Sequence, residues 1–258
     1  MIRQLSASIG AAAWLAASCA LAQPVWTGPY AGVSLGVNLG HGGWTAASTS
    51  DFPGTIVDAS SPRTYKPKAW RASVIGGYNW QVRRWVMGPE VDFGLANASD
   101  VKAGLPGCTI DCAGAPGPGV DTSSFGVGWD ASARARLGYL VSPSLLLYAT
   151  SGVAWQHVRV TGLCQASLAD PQCLVAPGDP ILSEVHTRTL SGGTVGGGVE
   201  WALGGRWKMR AEYRRLMLGS FADAFFVGEP SFEPGVSTYR FRVKPSADIV
   251  TLAVTRGF

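Results

Sequence analysis

Charged side chains are scarce in this 258-residue chain: Asp, Glu, Lys and Arg together make up 15%, against roughly 25% in an ordinary globular domain. Much of the surface therefore lies where charge is unwelcome. Long apolar runs are scarce too. After residue 25 no stretch approaches the roughly 18 consecutive apolar residues of a membrane-spanning helix, although 47% of the chain is hydrophobic. There are only three histidines, His41, His157 and His186. None stands in a His-x-Ser or comparable constellation, so they read as solvated rim residues, and neither catalysis, a metal nor a cofactor is expected. The net charge of +4 comes without a basic cluster or recognition motif, which argues against a nucleic-acid partner. Gly192-Gly193 and Gly196-Gly197-Gly198 lack a following Gly-Lys-Ser/Thr, so close strand packing is a better reading than a phosphate loop.

Arg3, the apolar run from about Ile9 to Ala22 and the small-x-small step Ala20-Leu21-Ala22 form the three parts of a secretory signal. Residues 1–22 are expected to be cleaved, leaving 23–258 as one domain. A lipoprotein cut before Cys19 is the rival, and Ala16-Ala17-Ser18 is a poor approach to it. Four cysteines remain: Cys108, Cys112, Cys164 and Cys173. An even number in an exported chain favours disulfides, Cys108 with Cys112 and Cys164 with Cys173, each ring stabilising its loop by roughly 2 kcal/mol. A four-cysteine zinc site is the alternative, against which stand the spacing and the oxidising compartment.

What is abundant is glycine, 34 residues, and tryptophan, 10 residues, set in a rhythm of eight two-sided segments. In the first, Ala31, Val33, Leu35, Val37 and Leu39 share one face, while Tyr30, Gly32, Ser34, Gly36 and Asn38 share the other. That is the period of a strand between two different media. Further segments follow at about 70–81, 87–95, 128–140, 145–156, 194–203, 207–214 and 249–258. The connections alternate: long ones at about 40–69, 98–127, 159–190 and 219–246, and short turns such as Gly204-Gly205-Arg206. Segments of roughly ten residues with this asymmetry predict an all-β fold, a closed antiparallel up-and-down eight-stranded transmembrane barrel, with short turns and both termini in the periplasm.

On this phasing the charges gather inside: Arg71, Glu90, Asp92, Arg134, Arg136, Glu200, Lys208, Arg210, Glu212 and Arg214. Eight strands enclose a space that side chains just fill, so opposite charges there are expected to pair into a lumen network. A narrow ion or solute path is the alternative.

The residues also resemble a family. Trp26-Thr27-Gly28-Pro29-Tyr30-Ala31-Gly32, Gly76-Gly77-Tyr78-Asn79-Trp80, Gly88-Pro89-Glu90-Val91-Asp92-Phe93, and Arg134-Ala135-Arg136-Leu137-Gly138-Tyr139 followed by 147–154 are similar to the small outer-membrane β-barrel proteins of alphaproteobacteria. These are porin-like surface antigens related to the OmpA barrel. Val195 to Trp201 and Ala211-Glu212-Tyr213 continue the likeness, while the long connections are unmatched. The resemblance implies that Phe258 is the terminal signal read by the barrel-assembly machinery, although Arg256 stands where the family has an aromatic residue. Together these readings predict a structural surface protein in the outer membrane of a Gram-negative bacterium, not an enzyme. Its expected partners are outer-membrane lipid and lipopolysaccharide, with a host or surface ligand possible at the loops. A small diffusion porin and a ligand-binding adhesin remain as alternatives.

Overall fold

A computed structural model describes residues 26–49, 62–106, 121–164, 181–227 and 239–258. The predicted signal and the residues Cys108, Cys112 and Cys173 lie outside them. Among the described residues eleven strands follow one another: β1 Gly28–Thr49, β2 Arg63–Tyr65, β3 Lys68–Val82, β4 Trp85–Ala96, β5 Ala98–Ala103, β6 Thr122–Ser142, β7 Leu145–Cys164, β8 Leu182–Gly204, β9 Trp207–Leu218, β10 Phe221–Phe225 and β11 Tyr239–Gly257. Eight of them form a ring, β1-β3-β4-β6-β7-β8-β9-β11, which returns to its start through the antiparallel pairing of β11 with β1. Every neighbouring pair in the ring is antiparallel, as predicted. No strand edge is left open to hydrocarbon, where an unpaired N–H or C=O would cost several kcal/mol.

The outward series are those read from the sequence. Val33, Leu35, Trp70, Val74, Phe93, Leu95, Leu137, Val153, Leu203, Leu252 and Val254 are exposed, forming the band that meets lipid tails. Trp80, Trp85, Trp201 and Trp207 mark its short-turn end, and Phe93 and Trp155 its other end. Aromatic rings favour the interface because one edge is apolar and the other tolerates water. On β7 the band runs from Leu145 to Trp155, in keeping with roughly 9–11 tilted residues per crossing.

The long connections are corrected by the structure. β1 continues to Thr49, β7 to Cys164, β6 begins at Thr122, β8 at Leu182 and β11 at Tyr239, so much of 40–69, 98–127, 159–190 and 219–246 is sheet. The reason is visible on β7. Its alternation never breaks, but its polarity reverses beyond Trp155: His157, Arg159 and Thr161 point outward while Val158, Val160 and Cys164 are buried. Above the bilayer the strand has water outside and needs an apolar core. A reading that required an apolar outer face therefore stopped at the membrane.

In this outer part the pairings resolve into two four-stranded sheets, β8-β7-β6-β5 and β2-β1-β11-β10. Between them lies a core of Trp44, Tyr65, Phe125, Val158, Val160, Phe225, Phe241 and Val243, all fully buried. Trp44 packs at 5.2 Å from Phe241 and 5.6 Å from Tyr65, and Phe225 stacks on Phe241 at 4.6 Å. Such pairs contribute about 0.5–1.5 kcal/mol each beyond burial. Among the described residues no ladder joins β5 to β2 or β10 to β8, and side chains bridge both seams instead. At one, the Arg63 guanidinium donates to the carbonyls of Ala103 and Gly104 at 2.6 and 2.9 Å. At the other, Asp223 accepts from Arg188 at 2.6 Å, and His186 lies 2.8 Å from Glu184 and 3.1 Å from Asp223.

A β-bulge in β6 aligns the two regimes. Gly128 and Trp129 together oppose His157, so Val127 and Asp130, three residues apart, both face inward. The extra residue shifts the inward positions from 123, 125 and 127 in the apolar core above to 130, 132, 134 and 136 in the charged interior below. These opposite environments give an expected outcome. Leu35→Arg on the lipid face should destabilise the folded protein by about 2–4 kcal/mol, whereas Val185→Arg, outward on the water-facing part of β8, should change it by less than about 0.5 kcal/mol. Urea unfolding in lipid vesicles followed by tryptophan fluorescence measures both.

Candidate functional site

The ten charged residues expected inside are all buried, none more than 8% exposed. Alternation puts them there: Arg71 on β3, Glu90 and Asp92 on β4, Arg134 and Arg136 on β6, Glu200 on β8, and Lys208, Arg210, Glu212 and Arg214 on β9 all share the inward parity of their strands. They are brought together in two tiers.

The tier nearer the outside joins four strands. Arg71 grips Asp130 through two nitrogens at 2.6 and 2.8 Å and reaches Asp92 at 2.5 Å. Arg214, from across the barrel, donates to Asp92 at 2.5 Å, to the Ser132 hydroxyl at 2.7 Å and to Asp130 at 3.2 Å. Ser132 also donates to Asp92. The backbone makes room for this: a Cβ at Gly94 would overlap the Arg71 guanidinium.

In the tier nearer the periplasm, Glu90 is the hub. It accepts from Arg134 at 2.6 Å, from Arg210 at 2.5 Å and from the Tyr30 hydroxyl at 2.6 Å. Arg134 also donates to Glu212 at 2.6 Å, and the Tyr148 hydroxyl donates to the same carboxylate at 2.8 Å. Arg136 and Arg210 share Glu200, and the Arg136 guanidinium lies 4.0 Å above the Tyr148 ring. Charge-assisted bonds of this kind are about twice as strong as neutral ones. The tiers meet where Arg134 comes within 3.8 Å of Asp92.

Sequence reasoning did not place Asp130, Tyr30, Tyr148 or Ser132 in this network. Asp130 carried a signal, since it shares the parity of Arg134 and Arg136. With it, five carboxylates match the five arginines. Lys208 stands apart: it makes no ion pair among the described residues and sits 4.7 Å over the Trp26 ring. Trp26 belongs to a small apolar cluster with Val86, Leu140, Leu146 and Tyr148 at the short-turn end, and its indole N–H donates to the Pro143 carbonyl at 3.1 Å. The arginine network thus lies between this cluster and the aromatic core above. Of the other expected positions, Phe258 is exposed at the rim with Arg256 5.9 Å over its ring, and Cys164 is fully buried at the end of β7. The histidines are dispersed: His41 lies 3.9 Å from Asp248, His157 stacks on Trp129 and His186 sits in a seam. Among the described residues no group of His, Cys, Asp and Glu is arranged to hold a metal ion.

Interactions this interdependent fail together. Glu90→Ala would leave Arg134, Arg210 and Tyr30 each short of an acceptor, and a loss of about 3–5 kcal/mol is expected. Equilibrium unfolding in vesicles checks it, with Glu90→Gln expected to recover part of the loss.

Known proteins agree with this architecture. The 31 kDa outer-membrane immunogenic protein of Brucella melitensis is 29% identical over 199 residues, 75% of this chain and 72% of that protein. The 25 kDa outer-membrane immunogenic protein of Brucella abortus is 28% identical over 76% of this chain and 67% of its own length. The 22 kDa outer membrane protein of Rhizobium leguminosarum is 33% identical over 55% of this chain and 49% of its own. In fold, the chain is similar to OprG from Pseudomonas aeruginosa, with 11% identity and a TM-score of 0.50 over 92% of this chain and 99% of that one. It is also similar to the outer membrane protease OmpT of Escherichia coli, with 9% identity and a TM-score of 0.52 over 90% and 97%. The family described as the outer membrane protein beta-barrel domain matches residues 7–242. With its closed ring, its lipid-facing band and these relatives, the chain belongs to the outer membrane protein β-barrel family and is an outer-membrane protein.

Proposed function

We propose that this chain is a structural surface protein whose lumen is filled by its own side chains and whose outward connections are braced by disulfides. The observation that carries the first half is the mutual pairing of five arginines with five carboxylates at almost no exposure. An ion crossing there would have to displace the charge-assisted bonds that these groups make with one another, with apolar clusters above and below the network. For the second half, Cys164 at the rim of the outer core favours a loop-local pairing with Cys173, alongside Cys108 with Cys112.

A second reading, display of a ligand-binding surface, is favoured by one observation. Arg240, Arg242 and Lys244 point outward at alternate positions on β11, and Lys66 and Lys68 are exposed on the same side; none makes a side-chain ion pair among the described residues. That face suits an anionic surface polymer.

In planar bilayers the purified protein is expected to be electrically silent, and Arg210→Ala to lose stability before any current arises. A large selective current in the wild type that Arg210→Ala abolishes would make it a small porin instead. Peptide mapping without reduction is expected to recover the two loop-local cystines.

A further inference from the structure

The bulge in β6 leaves a groove on the outer wall of the barrel, and nothing in the lumen network or the outer core accounts for its lining. It lies where β4 gives way to β5 at Asn97, so that β6 changes partner, and where Gly128 and Trp129 crowd opposite His157. The outward side chains around it are Asn97, Ser99, Ser124, His157, Arg159 and Thr161. Its floor is glycine. A Cβ at Gly126 would come within 3.5 Å of Ser99 Cβ and 3.8 Å of Arg159 Cβ, and one at Gly128 within 3.2 Å of the His157 ring. The volume is about 210 Å³, below the roughly 300–1,000 Å³ of sites for drug-sized molecules. It suits one small polar unit.

Three features define that unit. Among the described residues no carboxylate lines the groove and Arg159, exposed, makes no ion pair; an uncompensated guanidinium over hydroxyls and an amide favours an anion that also carries hydroxyl groups. The aromatic stack Phe93, Trp129, His157, with centroids 5.9 Å apart, climbs the wall and ends at the groove, which sets its height at the outer interface, level with lipid headgroups. Directly below lie the outward Trp155 and Phe93 that meet acyl chains.

We infer that this groove seats the phosphorylated sugar headgroup of an outer-leaflet glycolipid, with Arg159 on the phosphate, the Asn97, Ser99, Ser124 and Thr161 side chains on the sugar, and the acyl chains lying along the aromatic stack. The inference rests on the outer-membrane placement and not on a plugged lumen.

The test uses the full protein in phosphatidylcholine nanodiscs, titrated with bisphosphorylated diglucosamine lipid, its dephosphorylated form and free glucosamine 1-phosphate. Arg159→Gln, and separately removal of the phosphates, are each expected to weaken binding about tenfold, the loss of one charge-assisted contact. Gly126→Val, which fills the groove and leaves every charge in place, should weaken it as much. Arg206→Gln, at an exposed cation in the short turn between β8 and β9, should not. Competition by the free sugar phosphate would place recognition in the headgroup alone; binding of the lipid without such competition would assign the membrane-anchored form. Equal losses from Arg159→Gln and Arg206→Gln, or undiminished binding by a folded Gly126→Val, would overturn the site in favour of diffuse charge attraction. A heat-dependent gel shift of each variant reports separately whether the barrel itself has formed.

Discussion

The pairing of β1 with β11 is the contact on which everything else depends. A sheet of eight long strands placed in hydrocarbon without it would present two rows of unsatisfied backbone groups, and no arrangement of side chains compensates for that in a medium without water. Once the ring closes, each strand acquires a fixed inside and a fixed outside. The geometry then dictates that every second residue meets either lipid or the interior. The buried arginines follow from this closure: guanidinium groups on β3, β6 and β9 converge on carboxylates of β4, β6, β8 and β9 because the wall holds them within reach.

The same wall passes through two solvents and is built differently in each. Within the bilayer the hydrophobic effect acts on the outer face only through exclusion from water, and specificity is left to the ion pairs inside. Above it, the outer face is wetted and an aromatic core takes over, with Trp44 among Tyr65, Phe225 and Phe241. The two halves are held by different forces: backbone ladders run all round the lower ring, whereas the upper sheets meet along seams spanned by Arg63 on one side and by Glu184, His186, Arg188 and Asp223 on the other. Exposed outer strands of this kind are what a surface protein offers to its surroundings.

Much of the lower ring was legible in the sequence because lipid imposes a strict period. Leu35, Val74, Phe93, Leu252 and their partners announced the outer face, and Arg134, Arg136, Arg210 and Arg214 announced the inner one. The upper half was hidden by its reversed polarity: His157, Arg159 and Thr161 look like a polar loop until their alternation with Val158 and Val160 is noticed. Tyr30 and Tyr148 escaped for another reason. An aromatic side chain of inward parity carries no mark in the sequence that its hydroxyl will meet a carboxylate 60 or 64 residues away. The groove on β6 was equally unreadable, since it arises from a bulge, and a two-residue pause among glycines has no signature distinct from an ordinary strand.

That bulge constrains how the gene can drift. With Gly128 and Trp129 counted as one step, parity is preserved across the water boundary; losing either residue would restore plain alternation with Phe125, Val127 and Asp130 still facing inward, whereas losing one residue elsewhere in β6 would turn part of the strand to the wrong face unless the bulge absorbed the change. Single-residue length changes in this strand should therefore gather at the bulge, and elsewhere along it should come in pairs or be purged.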